Sequence, residues 1–126
     1  MIGGGLLDWT QTTQPELAKL SPGLVEAVRR DVGTGAIVYS DPETSFRLAA
    51  FAPVYIAVAP PGHVADTEEN RPYERAKDAR RFFRTGDLAI PRDYHAAYVV
   101  VDGLRSDLRL ELPVAYQDER FTLYRL

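Results

Sequence analysis

Three short runs of uninterrupted apolar, strand-forming residues punctuate the chain: Ala36-Ile37-Val38-Tyr39, Val54-Tyr55-Ile56-Ala57-Val58-Ala59, and Ala97-Tyr98-Val99-Val100-Val101 leading into Asp102. Runs without polar alternation suit strands covered on both faces, as in a parallel sheet flanked by helices. Before and between them the spacing turns helical. Ser21 followed by Pro22 combines an N-cap with proline at the first helical position, Leu24, Val25 and Val28 supply an apolar stripe, and Arg29-Arg30 complement the dipole at the far end; a helix over 22–31 follows. Ser40-Asp41-Pro42-Glu43 repeats the signal. Either Ser40 or Asp41 can cap, Pro42 can start the helix, and Glu43 stands three residues beyond Ser40 as a capping box requires. This predicts a helix over 42–51 with Phe46, Ala49 and Ala50 toward the core. A third helix is expected over 71–85, capped by Asn70 and closed by Gly86, with Tyr73, Ala76, Ala79 and Phe83 on its inner face and Lys77, Arg81 and Arg84 toward the other. A brief helical turn around 91–94 precedes the third strand.

The tail has a different period. Pro113-Val114-Ala115-Tyr116, the turn Gln117-Asp118-Glu119, and the alternating Arg120-Phe121-Thr122-Leu123-Tyr124 read as a β-hairpin with one face toward water. Taken together, the pattern predicts a small three-layer, Rossmann-like α/β domain: a βαβαβ parallel sheet with right-handed crossovers, extended by a C-terminal antiparallel hairpin. A single domain over 21–126 is expected, preceded by a leader or linker over 1–20. In that leader Gly3-Gly4-Gly5 and Thr10-Gln11-Thr12-Thr13-Gln14 leave only Leu6, Leu7 and Trp9 able to dock.

Composition narrows the function classes. A chain of 126 residues, 45% hydrophobic, is long enough for one core that buries roughly two-thirds of the unfolded surface. Fifteen Lys+Arg against eighteen Asp+Glu give a net charge of -3, so the basicity of a nucleic-acid binder is missing and no nucleic-acid partner is expected. With zero cysteines and only His63 and His95, neither a disulfide, nor a thiolate or histidine metal site, nor a cysteine nucleophile is expected. No stretch approaches the roughly 20 apolar residues of a membrane span, and the N-terminus has no signal-peptide pattern.

Parallel strands deliver their carboxyl ends to one edge, where ligands of open α/β sheets bind. Ser40, Asp41 and Thr44 follow the first strand, His63 the second, and Asp102 ends the third, and these five are the candidate ligand-binding residues. A serine, a histidine and an aspartate at one edge have the composition of a nucleophile, base and orienter. No Gly-x-Ser-x-Gly elbow surrounds Ser40, however, and helix capping alone explains its place. A backbone hydrogen bond would equally explain His63 in its loop. Gly33-Thr34-Gly35 precedes the first strand, the wrong end for a phosphate cradle, and no Walker sequence occurs, so no nucleotide or other cofactor is expected. Lys77, Arg80, Arg81 and Arg84 suit lipid headgroups or a phosphorylated substrate, or simply complement a helix dipole. Asp66, Glu68 and Glu69 lack calcium-loop spacing and read as a solvated loop.

The stretch AIVYSDPETSFRLAAFAPVYIAVA, the following PPGHVADTEENRPYERAKDARRFF and the closing RFTLYRL resemble the soluble C-terminal segment of bacterial multi-spanning membrane glycosyltransferases of the GT-C type, including dolichyl-phosphate-mannose-protein mannosyltransferase-like and arabinosyltransferase-like proteins. The likeness covers about 21–126 and rests on a strand ending in Ser-Asp-Pro, a histidine turn, an Arg/Phe-bearing helix and a Tyr-Val-Val-Val-Asp strand. None of these is a catalytic signature. In that class the acidic catalytic residues lie in an extracytoplasmic loop near the start of the membrane portion, and the sugar donor is carried on a polyprenyl phosphate. The resemblance therefore implies a non-catalytic accessory domain on the extracytoplasmic face of the cell membrane, following the transmembrane portion of the same polypeptide and contacting a glycan or lipid-linked acceptor, or bracing the catalytic loops. An independent soluble α/β module that binds a small molecule or protein partner is the alternative.

Overall fold

The computed structural model describes residues 19–59, 67 and 71–126. Within them the chain forms helix α1 (Pro22–Asp31), strand β1 (Ile37–Tyr39), helix α2 (Pro42–Phe51), strand β2 (Tyr55–Ile56), helices α3 (Pro72–Thr85) and α4 (Ala89–Asp93), and strands β3 (Tyr98–Asp102), β4 (Val114–Gln117) and β5 (Phe121–Arg125). Residues 1–18 of the expected leader, His63 and the cap at Asn70 lie outside the described residues. Leu20, just before α1, packs against the core.

The architecture is α/β, with a five-stranded mixed open sheet in the order β2-β1-β3-β5-β4. Strand β1 sits between β2 and β3 and is parallel to both. Strand β5 lies antiparallel between β3 and β4. Because successive side chains of a strand point to opposite faces, the apolar runs divide into two cores. On one face Val38, Val100, Phe121 and Leu123 meet Leu24, Ala27 and Val28 of α1 and Leu48 of α2. On the other, Tyr39, Val99, Val101 and Tyr124 meet Ala79, Phe82 and Phe83 of α3 and Ile90 of α4. Tyr39, fully buried, packs edge-on against Phe82 with centroids 5.4 Å apart. Uninterrupted apolar strands were the sequence's sign of two covered faces, and both faces carry helices.

Helix α1 starts and ends as its sequence dictates. The Ser21 hydroxyl accepts from the Leu24 N–H at 3.3 Å, Pro22 opens the helix, and Val32 returns to extended backbone. Helix α2 differs from expectation in its rotation, and of its two candidate caps one is used. Asp41, rather than Ser40, is the N-cap, its Oδ1 accepting from the Thr44 N–H at 2.9 Å. The buried face is Thr44, Ser45 and Leu48, whereas Ala49 and Ala50 are exposed and Phe46 is half-buried. Alanine and phenylalanine were the more apolar choice, but the position of the Asp41 cap at the end of β1 sets which residues face the sheet. In α3 the inner face is Ala76, Ala79, Phe82 and Phe83, and Tyr73 is outside with 62% of its surface exposed. Its N-cap, Arg71, is left-handed with φ 39° and gives no side-chain cap, while Gly86 closes the helix at φ 73°, a conformation glycine adopts without strain.

Two strands also depart from their expected form. Only Tyr55 and Ile56 of the second apolar run join the ladder, although Ala57 still donates to Val38 O at 3.2 Å. The C-terminal strand does not turn a face to water: Leu123 and Tyr124 are both buried, on opposite faces, Leu123 in the core with α1 and Tyr124 in the core that Leu108, Leu110 and Leu112 pack against. Its neighbour β4 is the edge, with Val114 exposed and a bulge between Val114 and Tyr116 that interrupts the ladder, as edge strands commonly do.

The rotation of α2 has a direct consequence for stability. Leu48→Ala should cost about 2–5 kcal/mol through the cavity it leaves, while Ala50→Lys should change stability by no more than about 0.5 kcal/mol. Urea unfolding of both variants checks this, and a comparable loss in Ala50→Lys would mean that the face is assigned wrongly.

Candidate functional site

In an open α/β sheet the favoured ligand crevice lies beyond the carboxyl ends of adjacent parallel strands whose connections leave in opposite directions. Here those strands are β1, which leads to β2 on one side, and β3, which leads toward β5 and β4 on the other. Ser40, Asp41 and Thr44 follow β1 and Asp102 ends β3, so the structure gathers four of the five expected residues at this point. The fifth, His63, is outside the described residues. His95 follows α4 and precedes β3, at the opposite end of that strand.

Each gathered side chain is buried and occupied by protein partners. Ser40 and Ser45 share a short hydroxyl–hydroxyl hydrogen bond, and Ser40 Oγ also donates to Asp41 O at 3.2 Å. Asp41 caps α2. Asp102 accepts from the Leu104 N–H and from Arg120 Nε at Oδ1, 3.0 and 2.9 Å, and from Arg120 Nη2 at Oδ2, 2.9 Å. The two parallel bonds from Arg120 form a fork that holds the carboxylate's plane. Between the two aspartates stands Arg105, 3% exposed, with Nε 3.4 Å from Asp102 Oδ2 and 3.8 Å from Asp41 Oδ1. Two carboxylates thus meet two guanidiniums in a charge-balanced buried cluster. Arg105 thus stands between the carboxyl end of β3 and the residue that caps α2 after β1.

The turn from β4 to β5 anchors this cluster. Asp118 Oδ1 accepts from the N–H groups of Arg120 and Phe121 at 2.8 and 2.7 Å, and Oδ2 accepts from the hydroxyls of Ser21 and Tyr116, the latter at 2.7 Å. One carboxylate therefore joins the N-cap of α1 to the turn that delivers Arg120. Arg120 in turn donates from Nη1 to Lys19 O at 2.8 Å, and Gly103 N donates to Arg120 O at 2.7 Å. A Cβ on Gly103 would stand 2.9 Å from that carbonyl oxygen, which is backbone and has no freedom to retreat.

Burial pushes the Asp41 carboxyl above its ordinary range, against the lowering by the Thr44 backbone and hydroxyl; Asp102 adds to the rise and Arg105 offsets part of it. For Asp118 burial acts in the same upward direction, but the Phe121 N–H, the Ser21 and Tyr116 hydroxyls and the Arg120 N–H together outweigh it and hold the carboxyl below its ordinary range.

Sequence reasoning missed Arg105, Arg120, Asp118 and Ser45. Arg105 stands three residues after Asp102, and Asp118 shares a tight turn with Arg120, but only strand pairing brings Arg120 across to Asp102. Among the described residues no group of three or more His, Cys, Asp or Glu side chains is arranged to hold a metal ion.

Two concave surfaces adjoin this framework. A polar cleft of about 480 Å³ opens beside the cluster, between the segment after β3 and the β4–β5 turn, lined by Ser106, Asp107, Arg109, Gln117, Glu119 and Thr122 among others. A more apolar groove of about 740 Å³ lies between α1 and α2, floored by Leu20, Pro22, Val25 and Phe51 and rimmed by Lys19, Arg29 and Arg47 with Glu26. Comparison with protein-family models, with curated proteins and with solved structures finds no match.

Removing Asp102 while Arg105 and Arg120 remain should be severe, because buried Arg105 keeps only the more distant Asp41 and half-buried Arg120 loses both bonds of its fork: Asp102→Ala is expected to lose about 3–5 kcal/mol, measured by urea unfolding at neutral pH. A loss below about 1 kcal/mol would show that the cluster behaves as a surface pair. The two other aspartates give opposite pH dependences. Asp118, with its folded pKa depressed, contributes stability that is present above 3.8 and lost as pH falls through the folded value. Asp41, with its folded pKa raised, contributes stability that is full below 3.8 and lost as pH rises through the folded value. Thermal unfolding across acid pH should therefore show Asp118→Asn weakening the acid loss seen in the wild type. Asp41→Asn, which keeps a capping oxygen, should gain on the wild type as pH rises.

Proposed function

We propose that this chain is a non-catalytic accessory domain that binds or braces a hydroxyl-rich acceptor, on the extracytoplasmic face of a membrane glycosyltransferase that uses a polyprenyl-phosphate sugar donor. The observation that carries the non-catalytic part is buried Arg105 standing between Asp41 and Asp102 at the strand ends. Ser40 hydrogen-bonds to another serine, Asp41 caps a helix, and Asp102 is held by two arginines. These groups are committed to structure. The resemblance over 21–126 supports the wider setting, in which the transmembrane portion of the same polypeptide would be the partner. The parallel order β2-β1-β3, with helices on both sheet faces, supports a Rossmann-like reading of the first half, and the β4–β5 pair supports a hairpin extension.

The acceptor contact in this reading is the polar cleft beside the cluster. Hydroxyl-rich ligands need many donors and acceptors rather than one charge, and Asp107, Arg109, Gln117 and Glu119 offer both kinds on an exposed rim. Arg120 and Asp118 hold the two walls of that cleft in register, so the rigid cluster serves as its base. The second reading, a free-standing module that takes a small molecule, is favoured by the groove between α1 and α2. Its apolar floor and three cations suit a ligand with an apolar body and an acidic group.

Titrating a soluble mannooligosaccharide into the isotope-labelled chain tests the first reading by NMR. Shifts confined to 101–109 and 117–124, weakened about tenfold by Asp107→Ala combined with Gln117→Ala through the loss of hydrogen bonds, are expected. Absence of shifts there overturns the cleft, and shifts at Val25, Arg47 and Phe51 with a long-chain carboxylate instead would favour the second reading.

A further inference from the structure

Helix α3 concentrates positive charge. Its sequence PYERAKDARRFFRT holds five cations and two carboxylates, in a chain with a net charge of -3. The arrangement around the helix is sharper than the count. At 3.6 residues per turn, Tyr73, Lys77, Arg80 and Arg84, spaced i, i+4, i+7 and i+11, fall on one flank, and Glu74 and Asp78 fall on the other. On the acidic flank Asp78 accepts from the Tyr94 hydroxyl at 2.6 Å and pairs with Arg81 at 3.9 Å, Glu74 pairs with Arg71 at 3.5 Å, and Arg75 lies 5.1 Å over the Tyr94 ring. All four residues of the basic flank are exposed, Tyr73 by 62%. Along the helix axis the row spans roughly 16 Å.

We infer that this flank of α3 docks on an anionic bilayer surface, with Lys77, Arg80 and Arg84 at the headgroup phosphates and the Tyr73 ring in the interfacial layer. Lysine and arginine stems reach along a surface while their charged ends stay hydrated, and tyrosine suits the level where apolar and wet regions meet. Each cation near an anionic leaflet adds attraction that salt screens. A straight row of cations with a single aromatic at one end matches a flat charged surface better than a single-stranded nucleic acid, which needs several aromatic platforms for successive bases. The inference is independent of the acceptor reading. The cleft at the β4–β5 turn contributes none of these residues, so failure of one proposal leaves the other standing.

Co-sedimentation of the whole chain with vesicles of phosphatidylglycerol and phosphatidylcholine, against vesicles of phosphatidylcholine alone, tests it. Binding to the anionic vesicles only, weakening as salt rises, is expected. Lys77→Glu with Arg84→Glu should reduce that binding at least about tenfold, the product of two surface cations reversed. Lys77→Gln with Arg84→Gln, a milder change that keeps the helix's exposed face polar, should give an intermediate loss and preserve the circular dichroism spectrum. Tyr73→Ala should weaken binding without altering its salt dependence. Equal binding to neutral vesicles, no loss in the folded charge variants, or stronger retention on an oligothymidylate than on anionic vesicles would each overturn the inference.

Discussion

Asp102 is the constraint on which the other elements converge. It ends β3, lies in the interior with 2% exposure, and receives a fork of hydrogen bonds from Arg120 and an ion pair from Arg105. A buried carboxylate is tolerable only when paired and hydrogen-bonded, and the same is true of a buried guanidinium. The partners come from distant parts of the sequence: Arg105 from the segment after β3, Arg120 from the approach to β5, and Asp41, which shares Arg105, from the end of β1. Satisfying one charge therefore requires β1, β3 and β5 to take up their places together. The charge network specifies an arrangement, while the two apolar cores supply most of the favourable free energy.

The same requirement explains why the polar groups at the strand-end edge are engaged with one another. Open α/β sheets leave a gap where adjacent strands send their connections in opposite directions, and at this edge of the chain Arg105 stands between Asp102 and Asp41. The edge's carboxylates are paired internally, Asp102 with both arginines and Asp41 with Arg105. Asp118 extends the network outward by tying the Ser21 cap of α1 to the turn that carries Arg120. What remains open to solvent is displaced to the side, as the polar cleft under the β4–β5 turn, to the groove between α1 and α2, and to the outer flank of α3.

Much of the fold was legible. The apolar runs located all the strands of the parallel half, and Ser21-Pro22 and Asp41-Pro42 marked two helix starts to the residue. The errors share one cause. Ala49, Ala50 and Tyr73 were assigned inward on apolarity and spacing alone, yet rotation of a helix about its axis depends on where its cap is anchored and on which neighbours it meets. The C-terminal strand was expected to face water on one side because Arg120 and Thr122 alternate with apolar residues. In the folded chain Leu123 packs in the core with α1 and Tyr124 in the core that Leu108, Leu110 and Leu112 pack against, and Arg120 turns inward toward Asp102. For the site, four of the five expected residues do converge, but their roles as caps and ion-pair partners follow from Arg105 and Arg120, which no local motif announces.

The sequence by itself determined element type and the convergence of Ser40, Asp41, Thr44 and Asp102. Hydrophobic periodicity and capping chemistry act over a few residues, and the parallel order of strands brings their ends together without further information. Only the tertiary structure decided that Arg120, eighteen residues beyond Asp102 along the chain, forms a fork with it, that Arg105 stands between Asp102 and Asp41, and that Asp118 lies beside Ser21. These are consequences of β5 pairing with β3 and of the desolvation cost of leaving a buried charge unmatched. Both depend on contacts between segments that no local window of sequence contains.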